Sequence, residues 1–394
     1  MIRDPRYHAL DGWRGLICLY VVLEHAGVAL WGGVGEATGL EGLARQILVL
    51  PLRWNIGTPL FFVISGYCIA ASTDSHRRKA LPAKNFLLRR MWRIFPPYWA
   101  AVLLFVLTVA VLDAMELPDW HRNGLTLELA SPGDLHPWQW LGNLTLTEGW
   151  RWHVVGPDPN IYTRIGWSLG YQEQFYLICF LALLAFPKGY VKALAITTAA
   201  TVLHLLWAHD IGYLHRLDGY FLTRWHEFAV GLAVYWRINY AETSRGRRGV
   251  DLLLASMLAL SAWFGVGSSM GASAFGMVMI ALRRWDLQIA SCRWVRPLTW
   301  CGRRSYSIYL THLPISILVV MALDTLGVRG FWARALVSMP AAVSASVGIG
   351  WAFHRWVDSR FTTLPDPESI RRIRERFRRP SAPLRTNGAG ALPA

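Results

Sequence analysis

Residues 9–27 read ALDGWRGLICLYVVLEHAG, and this stretch decides the fold. From Leu10 to Leu30 the residues are mostly apolar. About 20 such residues, rising 1.5 Å each, cross the hydrocarbon core of a bilayer. Arg3 and Arg6 precede the run as basic residues precede the apolar run of a signal peptide. The run is too long for one, however, and no small-residue cleavage site is evident. It reads as a retained first helix.

The same pattern recurs along the chain. Apolar runs occupy Ile56 to Ala71, Phe95 to Leu112, Trp167 to Phe186, Val191 to Trp207, Tyr220 to Tyr235, Ser305 to Leu323 and Phe331 to Phe353. Leu252 to Val266 and Ser268 to Leu282, separated by a Gly/Ser turn, read as a tight hairpin with each arm near the minimum length for a span. The sequence therefore predicts an all-α, polytopic transmembrane bundle of about ten spans. Composition agrees: 54% of residues are hydrophobic, 16% are charged and mean hydropathy is +0.29.

Forty Lys and Arg face 25 Asp and Glu, a net +15 that on a soluble protein would suggest nucleic acid as partner. The positions of the basic residues argue otherwise. Arg77, Arg78, Lys79, Lys84 and Arg89, then Lys188 and Lys192, then Arg245, Arg247 and Arg248, then the 283–304 connection, fall in alternate connections. The intervening connections carry both signs or few charges, so the positive-inside rule puts both termini in the cytoplasm. No nucleic-acid partner, no metal site and no resident cofactor are expected.

The expected division is a membrane domain over 1–361, with an external Trp-rich loop at 113–166, and a basic, largely disordered cytoplasmic tail at 362–394. About 40 mostly basic residues follow the tenth run, too few for a further extracellular domain. The loop holds Trp120, Trp138, Trp140, Trp150 and Trp152. They suit either stacking on sugar rings or an aromatic belt at the membrane interface. The five cysteines lie in spans or cytoplasmic connections and read as packing residues. No internal repeat of the transporter kind is evident.

Ionisable residues inside a span cost several kcal/mol and default to a functional reading. Arg14 and His25 are eleven positions apart, which at about 100° per residue returns them to one face, about 16 Å apart along the axis. Asp11, Arg14, Cys18, Val22 and His25 form one stripe. A neutral histidine is a usual general base for a hydroxyl; the bland alternative is a histidine hydrogen-bonded between helices. In FLLRRMWRIFPPYW, Arg90 and Arg93 sit one turn apart and suit a phosphate clamp, although topology alone also places arginines there. Ser168, Gln172, Glu173, Gln174 and Tyr176 in GWSLGYQEQFYL suggest a water-filled cavity. Tyr306, Tyr309 and His312 recur at helical spacing in RRSYSIYLTHLP, where a role in helix packing is the plainer reading.

These blocks, with FFVISGY and HRWVDSRF, resemble in their order the acyltransferase-3 family of bacterial membrane-bound sugar O-acyltransferases. The likeness spans nearly the whole chain. It implies transfer of an acyl group, usually acetyl from cytoplasmic acetyl-CoA as co-substrate, to a carbohydrate hydroxyl on the outer side of the bacterial inner membrane. Arg14 and His25 match the family's pairing of a basic residue with a histidine in the first helix, and Arg90 and Arg93 its Arg-x-x-Arg motif. His25 and Glu173 are then the candidate catalytic residues, Arg14, Arg90 and Arg93 the acyl-CoA ligands, and Ser168, Gln174, Tyr176, Tyr309 and His312 the cavity. Gln172 replaces the first of two family glutamates, Glu24 stands where an apolar residue is usual, and Asp358, Ser359 and Arg360 replace Glu-Arg-Pro. The rival class is a transporter or flippase, which would move a sugar-containing or small metabolite across the same charged path without consuming acyl-CoA.

Overall fold

The computed structural model describes residues 6–31, 39–49, 51–114, 130–210 and 217–364. Among them there is no strand, and ten helices of fifteen or more residues form the bundle. These are α1 (Leu10–Trp31), α3 (Gly57–Arg78), α4 (Ala83–Ala114), α7 (Gly166–Ala185), α8 (Tyr190–Asp210), α9 (Trp225–Asn239), α10 (Ser244–Trp263), α11 (Gly267–Leu282), α14 (Ser305–Thr325) and α15 (Phe331–Trp356). Shorter helices join them: α2 (Gly39–Val49), α5 (Pro137–Leu144), α6 (Glu148–Arg151), α12 (Asp286–Ser291) and α13 (Arg296–Gly302). Each of the ten runs expected from the sequence coincides with one of these long helices over most of its length, although residues 220–224 of the sixth form a separate turn before α9. Ala83–Ala114, Tyr190–Ala208, Ser305–Thr325 and Phe331–Trp356 are long and apolar enough to cross a membrane by length and composition alone.

The outer faces are apolar, as lipid requires. Leu103, Leu107 and Val111 are about half exposed along α4, and Leu177, Leu181 and Leu184 repeat the pattern on α7. Inside, aromatic rings interlock around Phe175 of α7. Its ring lies 5.3 Å from Phe62 of α3, 5.7 Å from Trp225 and 4.8 Å from Phe228 of α9.

Two helix crossings bring backbones into contact through glycine. A Cβ on Gly66 of α3 would strike the carbonyl of Phe228 in α9, and one on Gly231 of α9 would strike the carbonyl of Val63 in α3. Gly15 of α1 and Gly302 of α13 repeat the device, each pressed on the backbone of the other's helix. Small residues at such crossings let van der Waals packing replace the hydrophobic drive that lipid lacks. The second crossing docks the 283–304 connection, expected only as a charged loop, against the first helix.

Asp286 completes that docking. Its buried carboxylate accepts the backbone N–H groups of His8 and Ala9, each at 2.8 Å, and pairs with Arg283. The start of α1, and with it the height of Arg14, is fixed from the opposite end of the sequence. Nearby, burial pushes the Tyr7 hydroxyl up to about 12, and the phenol donates to the Met279 carbonyl at 3.0 Å.

The long connection between α4 and α7 is ordered where it is described. Arg151 and Glu148 form a buried ion pair at 2.9 Å, and the Asn143 amide bridges the carbonyls of Gln139 and Asn160. Trp140 packs on Tyr162 at 5.2 Å, and burial raises the Tyr162 hydroxyl to about 12. Trp120 and residues 365–394 of the expected tail lie outside the described residues.

Candidate active site

The stripe predicted on α1 faces α14 and the turn before it. Asp11 lies 3.6 Å from Arg303, the Cys18 thiol 3.7 Å from the Ser305 carbonyl, and His25 Nδ1 2.8 Å from His312 Nε2. His312 is fully buried and its Nδ1 lies 2.7 Å from the Tyr309 carbonyl. A carbonyl only accepts, so Nδ1 of His312 carries its proton and Nε2 accepts from Nδ1–H of His25. His25 is thereby left with an unprotonated Nε2, the atom a general base needs.

Arg14 turns the other way, toward α3. Its guanidinium bonds Asp11 at 3.1 Å and the Cys68 thiol at 2.8 Å. On α4 the two arginines lie over aromatic rings: Arg90 sits 5.7 Å from the Phe86 ring and 5.5 Å from that of Tyr176, and Arg93 is 5.5 Å from Tyr306. Stacking holds the planar guanidinium groups in place. Arg93 also pairs with the fully buried Asp358, which accepts from Ser307 at 2.8 Å and lies 2.9 Å from His354. Pro96 and Pro97 cannot donate to the carbonyls of Trp92 and Arg93, and Tyr306 donates to the next one, Ile94, at 2.8 Å.

Arg14, Arg90, Arg93 and Arg303 line one end of a cavity of about 390 Å³, with Asp11 as its acid. Ser168, Gln172, Tyr176 and Tyr309 line the rest of it from α7 and α14. The Ser168 and Tyr309 hydroxyls lie 2.7 Å apart and both reach the Ile165 carbonyl, at 3.1 and 3.4 Å, so the pair ties α14 to the start of α7. The Gln172 amide donates to Ser65 at 2.7 Å, linking α7 to α3. Gln172, one of the departures from the family pattern, is thus part of the cavity wall and held by a neutral hydrogen bond.

Four candidates lie elsewhere. His25 and His312 are off the cavity wall; His312 is one helical turn beyond Tyr309, whose ring is 5.6 Å from its own, and His25 meets it from α1. Glu173 makes no hydrogen bond or ion pair with any described residue and lines neither cavity. Gln174 faces a second cavity, of about 460 Å³, where it clamps Gly219 and Phe221 by backbone hydrogen bonds of 2.8 Å. Cys68 and Arg303 were not singled out from sequence, Tyr306 was read as a packing residue and Asp358 only as a departure from the family pattern; the signal for Asp358 was an acid standing in a basic stretch at the end of the last span.

Residues 7–353 match the family model described as an acyltransferase domain. The chain belongs to the acyltransferase-3 family. It is 27% identical over 82% of its length to the peptidoglycan O-acetyltransferase OatA of Listeria monocytogenes, of which it covers 52%. It is 26% identical over 78% of its length to the putative membrane-bound transacylase BcsY of Komagataeibacter xylinus, covering 72% of that protein. The putative peptidoglycan O-acetyltransferase YrhL of Bacillus subtilis is 25% identical over 75% of the chain, which covers 50% of it. The chain therefore spans about half the length of two of these three relatives. No solved structure matches it.

Proposed function

We propose that this protein is a membrane-bound O-acyltransferase that moves an acyl group, acetyl by analogy with its relatives, from acyl-CoA to a hydroxyl of a carbohydrate. The ten long helices serve as spans of the bacterial inner membrane, with both termini and the arginine-lined end of the first cavity on the cytoplasmic side. The membrane domain runs over 1–361, and 362–394 is its tail.

The observation that carries the reading is the first cavity itself. At one end Arg14 and Arg303 share Asp11, Arg93 pairs with Asp358 and Arg90 has no carboxylate among the described residues, an excess of positive charge that makes a site for the phosphates of CoA, and the Tyr309, His312 and His25 series leads from its polar wall to an unprotonated imidazole nitrogen. In the reaction, Nε2 of His25 accepts the proton of the acceptor hydroxyl as that oxygen attacks the thioester carbonyl. The new C–O bond forms, the C–S bond breaks, and the proton passes from His25 to the departing thiolate of CoA. Glu173, with no hydrogen-bond or ion-pair partner among the described residues, stays a candidate for a second proton carrier.

Full-length protein in nanodiscs, given acetyl-CoA and a soluble glycan acceptor, tests this. Acceptor-dependent release of free thiol together with acetylated glycan is expected. A protein that moves glycan across the bilayer without releasing thiol is a transporter, and the proposal then fails.

A further inference from the structure

The second cavity, at the end of the bundle that carries the α4–α7 connection, has a different character from the first. Trp150, Trp152 and Trp167 line it with Asn55, Asp218 and Arg224. Each indole is half-buried and held. Trp150 stacks on Tyr220 at 6.4 Å and 27°, the Trp152 N–H donates to the Gly149 carbonyl at 3.0 Å, and Arg224 lies 5.8 Å from the Trp167 ring. Arg224 gives one nitrogen to the buried Glu227 at 2.8 Å, and the Asp218 carboxylate makes no hydrogen bond among the described residues.

Fixed indole faces beside a hydrogen-bond acceptor and donors fit a sugar ring, which has apolar C–H faces and a rim of hydroxyls. Charge separates the two cavities. Four arginines against Asp11 and Asp358 leave the first with an excess of positive charge that favours an anion, whereas in the second Arg224 is paired with Glu227 and faces Asp218, which disfavours an anionic ligand. The two also adjoin. Ile94 and Tyr98 on α4, Thr58 and Asn55 at the start of α3, and Ser168 and Trp167 on α7 face the first and second cavity respectively. About one helical turn, 5.4 Å, separates them along α4.

We propose that the second cavity is the docking site for the carbohydrate acceptor, taking one or two uncharged sugar rings on Trp152 and Trp167 with Asp218 and Arg224 bonding their hydroxyls. This rests on the acceptor being a carbohydrate, as read above. Binding is measured calorimetrically on the full chain in nanodiscs, without acyl donor, using chitotetraose, cellotetraose and maltotetraose as probes. Saturable binding of at least one is expected, weakened about tenfold by Trp152→Ala and by Trp167→Ala and unchanged by Trp138→Ala, an exposed indole outside the cavity. Asp218→Asn should weaken it while leaving the folded yield intact. No binding by any probe, or binding indifferent to Trp152 and Trp167, overturns the site, as does binding only of alkyl chains. Sugar binding of the expected pattern without thiol release would leave the site standing and remove the acyl-transfer reading instead.

Discussion

His25 and His312, 287 residues apart in the chain, meet at 2.8 Å between Nδ1 and Nε2, with their rings tilted by 34°. The Tyr309 carbonyl fixes the tautomer of His312, and His312 fixes that of His25. If His25 is the base, His25→Ala lowers acyl transfer by about 100-fold to 10,000-fold. His312→Ala leaves the base in place but disoriented, and the loss is smaller, up to about 100-fold. Thiol release by the two purified variants checks this, with folded yield measured alongside. Equal activity of His25→Ala and the parent protein sinks the role given to His25.

Arg93 and Asp358 form the second long-range pair. Asp358 is fully buried and satisfied by Arg93, Ser307 and His354 together. Deleting the carboxylate strands these donors, so Asp358→Ala should cost on the order of 3 kcal/mol of stability. A lowered thermal midpoint in detergent reports it. Asp358→Asn keeps the shape with a weaker hold on Arg93, and the expected result is a raised KM for acyl-CoA at nearly unchanged kcat. A change confined to kcat would contradict the positioning role.

The contrast between these pairs shows what the sequence made legible. The α1 stripe could be read because its members share one helix, and a period of 3.6 residues puts them on one face whatever packs against it. Arg90 and Arg93 were visible for the same reason. That His312 would receive His25, or that Asp358 would close on Arg93 from 265 residues away, depends on how helices cross. The crossings are set by glycines such as Gly15 and Gly302, whose partners no local pattern names. The Trp-rich connection was legible as suited to sugar stacking or to an interface belt, but not which indoles line a cavity: Trp150 and Trp152 line the second one while Trp138 faces outward.

Arg90 has two aromatic neighbours and no carboxylate among the described residues, in contrast to Arg93. Its charge is therefore available to an anion. Arg90→Ala should raise the KM for acyl-CoA about tenfold, and Arg90→Lys should recover only part of this because an ammonium does not stack as a planar guanidinium does. The defect should shrink with a donor lacking the nucleotide phosphates, such as acetylated pantetheine. Steady-state kinetics with both donors decides it: an equal defect with both would remove Arg90 from the phosphate site.

Gly231 is where the bundle tolerates least. α3 carries Thr58, Ser65 and Cys68 into the first cavity, and its distance from α9 is set by Gly66 and Gly231 lying backbone to backbone. A side chain at 231 meets the Val63 carbonyl and the Tyr67 amide, neither of which can swing aside. Gly231→Val must therefore push α3 and α9 apart, opening the aromatic cluster around Phe175 and costing several kcal/mol, more than the roughly 1–3 kcal/mol usual for overpacking. Gly249, in α10, has open space around its α-carbon, so Gly249→Ala should leave the thermal midpoint within a few degrees of the parent protein. Size-exclusion profiles after graded heating separate the two outcomes. If Gly231→Val remains monodisperse with parental thiol release, the α3–α9 crossing does not set the geometry of the cavity.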